Sequence, residues 1–137
     1  MMITPVLTQL RPDHQDDLAF LFKVCGSEFD PTQPFNPDTS LIAIHEGQIV
    51  GFITAWIDDQ PYAWVDVFLV HPDFRRGVVG FHLASAMRAI ILEKGARAIR
   101  CASENGELTA MLKRIGFTER RDAVLLEWRN KDESIIR

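Results

Sequence analysis

The stretch Phe68-Leu69-Val70-His71-Pro72-Asp73-Phe74-Arg75-Arg76-Gly77-Val78-Val79-Gly80 carries the clearest chemical signal in this 137-residue chain. An apolar run ends at Val70, two adjacent arginines and a glycine follow, and helical periodicity starts at Val79. A helix start presents backbone N–H groups without partners and a partial positive charge. Arg75 and Arg76 would add two full charges beside it. That combination suits an anion with several oxygens, such as a pyrophosphate. Taken alone, the same residues also fit a plain strand-to-helix turn with solvent-facing arginines.

Other chemistries find less support. His14, His45, His71 and His82 show no metal-ligand spacing, so no metal site is expected. Cys25 and Cys101 belong to no CxxC or Cys/His cluster. They read as two buried, reduced thiols, which fits a cytoplasmic protein. No apolar run reaches the roughly 18 residues needed to cross a bilayer, and no signal peptide is visible at the start, so no membrane role is expected. The net charge of −4 divides unevenly: residues 1–70 sum to −8 and residues 71–137 to +4. One end of the molecule would then suit an anion and the other a cation. With pI ≈ 5.5 and no basic stripe, nucleic-acid binding is not expected.

The elements that must position the loop can be read from periodicity. Residues 2–9 alternate loosely as a first strand. A helix opens near Pro12-Asp13, with Asp13 placed to cap it, and its apolar face is Leu18, Leu21, Phe22 and Cys25. Residues 27–38, with Pro31, Pro34 and Pro37, form a loop. Leu41–His45 and Gln48–Trp56 are strands joined by a tight turn at Glu46-Gly47. Residues 63–70 are a central strand in which Asp66 is the one charged residue. Val79, Leu83, Met87, Ile90 and Ile91 mark the helix after the loop. Ala98–Ala102 is a further strand, and Asn105 caps a helix with Leu108, Met111, Leu112 and Ile115 on its apolar face. Residues 117–129 allow two last strands. A single domain over 1–129 and a polar tail over 130–137 are expected, with a mixed sheet and helices on its faces.

Strand, V-x-P-x-[YF]-R-x-x-G-x-G, helix is the coenzyme A signature of the GNAT superfamily of N-acyltransferases. This chain resembles it at Val70, Pro72, Phe74, Arg75 and Gly80. A second family signature, N-x-x-[AL]-x-x-[LM]-Y-x-[KR]-x-G-F, is matched in register by Asn105, Leu108, Met111, Arg114, Gly116 and Phe117. Gly47 and Gly51 fit the family's G-x-[IV]-[VI]-G pattern. The resemblance covers roughly residues 40–129. It implies an α/β (α+β) fold with a mostly antiparallel sheet of six to seven strands, splayed between strands 4 and 5 and flanked by helices. It implies acetyl-CoA (coenzyme A) as acyl donor and an amine as acceptor.

Carried onto this sequence, the pantetheine arm would lie along Phe68, Leu69 and Val70. The pyrophosphate would rest on the backbone of Arg75, Arg76, Gly77, Val78, Val79 and Gly80, and Asn105 would touch the pantetheine or hold the gap. Asp66 is the candidate base. It is expected on one strand face with Phe68 and Trp64, where burial between aromatics would raise its pKa. A structural or exposed carboxylate remains the other reading. Two residues depart from the pattern. Val78 stands where the family has its middle loop glycine, so either Gly77 takes that role in a shifted loop or cofactor affinity falls. Leu112 stands where many members carry a tyrosine that protonates the departing thiolate. Tyr62, the lone tyrosine, lies too early in the chain to replace it; water or Ser103 would have to assist. The acidic loop residues Glu28, Asp30, Asp58 and Asp59 suggest a cationic amine acceptor, on a small molecule or a protein. A solvated acidic surface explains them equally well. A CoA-binding module with little or no turnover, acting as a sensor or interaction protein, is the alternative function, and a homodimer is left open.

Overall fold

Period-two patterns along the chain become strands and period-3.6 patterns become helices, in an order that ends the β4–β5 pairing before β4 itself ends. The computed structural model describes the backbone of residues 4–102, 106–119 and 125–129, and the side chains of residues 4–102 and 109–118. The strands are β1 (Val6–Gln9), β2 (Ser40–His45), β3 (Gln48–Ile57), β4 (Tyr62–Val70), β5 (Ala98–Ala102), β6 (Thr118–Glu119) and β7 (Leu125–Arg129). The helices are α1 (Gln15–Val24), α2 (Val79–Glu93) and α3 (Gly106–Arg114). One seven-stranded sheet runs β1-β2-β3-β4-β5-β7-β6. All its pairings are antiparallel except β4 with β5.

β3 is apolar on both faces because helices cover both. Leu18, Leu21 and Phe22 of α1 pack with Ile42, Ile49, Phe52 and Val67 on one side. Val79, Leu83, Met87 and Ile91 of α2, with Leu112 of α3, pack with Val50, Ile53, Ala55, Ala63 and Ile99 on the other. Two glycines make this possible for different reasons. The β2–β3 turn has positive φ at both central residues, Glu46 at 51° and Gly47 at 78°, the backbone a two-residue hairpin prefers. At Gly51 a Cβ would come within 2.6 Å of Leu83 Cδ1 and 2.9 Å of Val79 Cγ1. The missing side chain lets α2 lie directly on β3.

Two irregularities in β4 shape everything that follows. Thr54 pairs with Val67, but Ala55 pairs with Val65. Asp66 is thus the extra residue of a β-bulge, which turns the strand and shifts its face pattern by one. On the other side, β4 pairs with β5 only from Tyr62↔Ala98 to Val65↔Cys101. Beyond that rung no further β4–β5 pair forms among the described residues: β5 ends at Ala102, while β4 runs on to Val70.

Local expectations differ from the structure at the first helix. A short 3-10 turn, Pro12–His14, precedes α1. The Asp13 carboxylate accepts from Arg11 Nε at 3.3 Å rather than capping α1. The added turn makes His14, not Asp13, the residue that precedes α1. Asn105, Ser103 and the 130–137 tail lie outside the described residues.

Candidate active site

The part of β4 that runs on past its last pair with β5 borders a cleft of about 730 Å³. Phe68, Leu69 and Val70 form one wall, Arg75, Arg76, Gly77, Gly80 and Phe81 another, and Ala110, Met111 and Arg114 of α3 close the far side, with Cys25 at the edge. The loop between β4 and α2 is held by its own bonds. His71 N–H donates to Val50 O at 2.8 Å, Phe74 N–H to His71 O at 2.8 Å, and Asp73 N–H to His71 Nδ1 at 3.1 Å. Pro72–Phe74 is a 3-10 turn, and the Phe74 ring sits edge-on to His45 and His71. His71 is therefore a cap for the loop and does not line the cleft. The loop delivers Arg75 and Arg76 to the start of α2.

Electrostatically the cleft is one-sided. Three guanidinium groups line it and no carboxylate does, among the described residues. The N–H groups of Val79, Gly80 and Phe81 lack a carbonyl four residues back inside α2, since the first such bond is His82 N–H to Val78 O at 2.9 Å. This donor set suits a polyphosphate. Gly80 keeps the helix start open: a Cβ there would meet Met111 Cε at 3.4 Å and Val70 Cγ2 at 3.5 Å. Arg75 Nε donates to Val70 O at 3.0 Å, and the Cys25 thiol reaches the same carbonyl at 3.5 Å.

The concern over Val78 is corrected by its backbone. Val78 has φ −102° and ψ 1°, and Gly77 is absent from the residues with positive φ. Neither position needs glycine for conformation, so valine carries no strain and no loop shift is required. The Val78 and Val79 side chains do not line the cleft; Val79 is fully buried beneath α2.

A second cavity, about 300 Å³, continues from the cleft through Phe68 and Leu69. Its other walls are Ser27, Glu28 and Phe29 from the loop after α1, Val65, Asp66 and Val67 from the bulge, and Cys101 and Ala102 from β5. Asp66 is exposed here. Its carboxylate accepts from Trp56 Nε1 at 3.0 Å. It does not share a face with Phe68, because the bulge removes one step from the alternation; nor is it buried. Phe68 and Val65 instead join the core beneath α2.

The acidic loop residues separate. Glu28 lines the second cavity. Asp30 is engaged by Thr32 N–H and Oγ1 within its own loop. Asp58 closes the β3–β4 turn: Gln60 N–H and Tyr62 N–H donate to one oxygen and Trp64 Nε1 to the other. The Trp64 bond, then that from Tyr62, holds its carboxyl below the usual carboxylate range. Asp59 sits in the same turn; neither it nor Asp30 lines either cavity.

Both thiols stay protonated near neutral pH. Burial raises Cys25, with Arg75 opposing, and burial pushes Cys101 up to about 11. Cys25 is half-buried at the cleft edge rather than in the core. Leu112 is 2% exposed and faces the core between α2 and β5. Tyr62 opens β4 at the end opposite Val70, where its ring lies under the Arg100 guanidinium at 4.2 Å. The residues that the sequence reading assigned no part in the cleft are Cys25, Phe81, Ala110, Met111 and Arg114. Arg114 and Met111 had a signal, since both fill positions of the second family signature.

The family model described as acetyltransferase (GNAT) family matches residues 7–117. No curated protein matches the sequence closely enough to count as a relative. Among solved structures, the loading GNATL domain of CurA from Lyngbya majuscula superimposes with a TM-score of 0.77 at 14% identity, covering 93% of this chain and 98% of that one. A chain of the NatC complex bound to Gag peptide and CoA gives 0.76 at 14% identity, covering 94% and 100%. An aminoglycoside 6'-N-acetyltransferase complexed with coenzyme A gives 0.75 at 12% identity, covering 90% and 96%. At such identities the likeness speaks for the fold, and the family match over most of the chain gives the classification: this protein belongs to the acetyltransferase (GNAT) family.

Proposed function

We propose that the chain is an N-acetyltransferase that takes an acetyl group from acetyl-CoA and passes it to an amine by direct attack. One observation carries this reading: β4 leaves β5 after Val65 and ends at a helix start flanked by Arg75 and Arg76, with Arg114 opposite. Acetyl-CoA supplies an acyl group already activated as a thioester. The residues present fit it. The arginines and the free N–H groups of α2 match its phosphates, and the uncovered edge of β4 offers backbone partners to an amide-bearing arm. Two of the structural neighbours named above were solved with CoA.

The reacting groups would meet where the two cavities join, at Phe68 and Leu69. Attack requires a neutral amine, and an alkylammonium must first lose a proton. Asp66 lines the acceptor-side cavity and is the candidate to receive that proton, directly or through water. Its exposure favours the water route. Glu28 on the facing loop would add negative charge on the acceptor side.

Titration calorimetry with acetyl-CoA and with CoA tests the cofactor reading, with micromolar binding expected; absence of binding to either would overturn it. Thiol release in the presence of amines tests turnover. Asp66→Asn is expected to lower kcat by about 10²-fold and to move its pH profile; an unchanged profile would clear Asp66. A second reading, CoA binding with little turnover, is favoured by Leu112. It is buried where a thiolate-protonating tyrosine would stand, and Tyr62 is at the wrong end of β4. Tight CoA binding with no thiol release from any amine would select it.

A further inference from the structure

One row of flat side chains crosses the sheet outside both cavities. Trp56, Trp64 and Arg100 lie in register on β3, β4 and β5. The two indoles stack with centroids 6.0 Å apart and planes 15° off parallel. The Arg100 guanidinium carbon lies 5.0 Å from the Trp64 ring centroid and 4.2 Å from that of Tyr62. Each indole N–H is fixed by a carboxylate, Trp56 by Asp66 at 3.0 Å and Trp64 by Asp58 at 2.9 Å.

The two ends of this row differ in one respect. At the Trp64 end an indole, a neighbouring ring and a nearby carboxylate already hold a cation, that of Arg100. At the Trp56 end the indole and its carboxylate are present, and no cation pairs with them among the described residues. β2 stops at Ser40, opposite Thr54, so on that side no strand pairs with Trp56 among the described residues, and Trp56 is 47% exposed. Its carboxylate partner, Asp66, also lines the acceptor-side cavity. An exposed indole face rimmed by a carboxylate attracts an ammonium or guanidinium group. With neighbouring strands about 4.8 Å apart, that face lies roughly 7–10 Å from the gap between β4 and β5.

We propose that the exposed face of Trp56 forms a subsite for a second cationic group of the acceptor, with Asp66 adding negative charge between that group and the reacting amine, so that the preferred acceptor is a small diamine or larger polycation rather than a monoamine. The inference rests on the acetyltransferase reading for where the reacting amine sits. The recognition step itself does not need the cofactor.

Calorimetric titration of the protein with spermidine, with and without CoA, tests it. Saturable binding is expected, weakened about tenfold in Trp56→Leu, the size of a well-formed cation–π contact. Asp66→Asn, which retains an acceptor for the Trp56 N–H, should weaken it similarly. CoA affinity should be unchanged in both variants. In turnover, kcat/KM for putrescine should exceed that for n-butylamine in the wild type, and Trp56→Leu should bring the ratio toward one. No saturable spermidine binding, or equal binding by wild type and Trp56→Leu, would overturn the proposal. So would a lysine-bearing peptide that depends on Trp56 while spermidine does not. Loss of CoA binding with spermidine binding intact would instead count against the cofactor reading alone.

Discussion

Tyr62–Val65 and Val67–Val70 are continuous chain in one strand, yet they do different work. The first segment is held on both sides, by β3 and by β5. Its outward residues are aromatic and sit among carboxylates at Asp58 and Asp66. Among the described residues the second is paired only with β3, and its other edge faces three arginines across a cleft. Between them is Asp66, the single unpaired residue of the bulge. A β-strand cannot both complete a sheet and offer its edge to a ligand along the same residues. Adding one residue to the strand allows both. It reverses the faces just where the pairing with β5 ends, and sets an acidic acceptor-side cavity against a basic cleft.

The strongest way to break this contrast is to delete Asp66. Without the extra residue, either Ala63 and Val65 or Phe68 and Val70 must leave the core face beneath α2. Exposing such a set costs several kcal/mol, at about 1.5–3 kcal/mol for each large side chain. The expected result is loss of cooperative thermal unfolding and of CoA binding together. A deletion variant that melted normally and bound CoA with native affinity would show that the bulge does not divide the strand.

Next in size is the basic side. Arg75→Ala with Arg76→Ala should weaken CoA binding by 10- to 100-fold or more, since a hydrogen bond to a charged group is worth about 1.5–3 kcal/mol. The melting temperature should hardly move, because both residues are exposed and Arg75 is tied only to the cleft rim, at Val70 O and the Cys25 thiol, among the described residues. Unchanged CoA affinity would assign the arginines to solvent and remove the difference between the two halves of β4.

Much of this was legible because its causes are local. The Glu46-Gly47 turn, the loop from His71 to Gly80 and the stripe of α2 each depend on residues within a few positions of one another. Gly51 could be placed in a pattern, but its reason, contact with Leu83 and Val79, needs the packed helix. Asp66 was misplaced for a similar cause. Counting in twos along β4 is right until the strand pairs with β3, and only the pairing reveals the extra residue. The Val78 concern assumed a left-handed backbone, which no composition rule can test. Charge was more informative than expected. The basic second half of the sequence supplies the cleft arginines, and the acidic first half supplies Glu28 and Asp66 to the cavity beyond them.

Smaller effects sharpen the contrast. Val78→Gly, which restores the family's residue, should change CoA affinity by less than about twofold, because φ is already negative there and a free helix start has no need of glycine at this place. A clear gain in affinity would mean that the loop must change conformation to bind.

Asp58 supports the opposite half of β4, and its effect should be the smallest and confined to acid. Its folded-state pKa lies below the usual 3.8 because Trp64, and then Tyr62, donate to the ionised form. A depressed pKa means that the unfolded chain binds the proton more readily. The contribution is therefore complete above 3.8 and is lost as pH falls through the lowered folded value. On an exposed turn that loss is small, so the sensitive readout is local. The near-ultraviolet dichroism of the stacked Trp56–Trp64 pair should change below pH 3.8, ahead of global unfolding, and Asp58→Asn should remove that step. CoA binding measured at neutral pH should be the same in Asp58→Asn as in the wild type, since the turn and the cleft lie at opposite ends of β4. A dichroism step that persisted in Asp58→Asn would show that the Asp58 carboxyl is not its source and would remove this distinction between the two halves of β4.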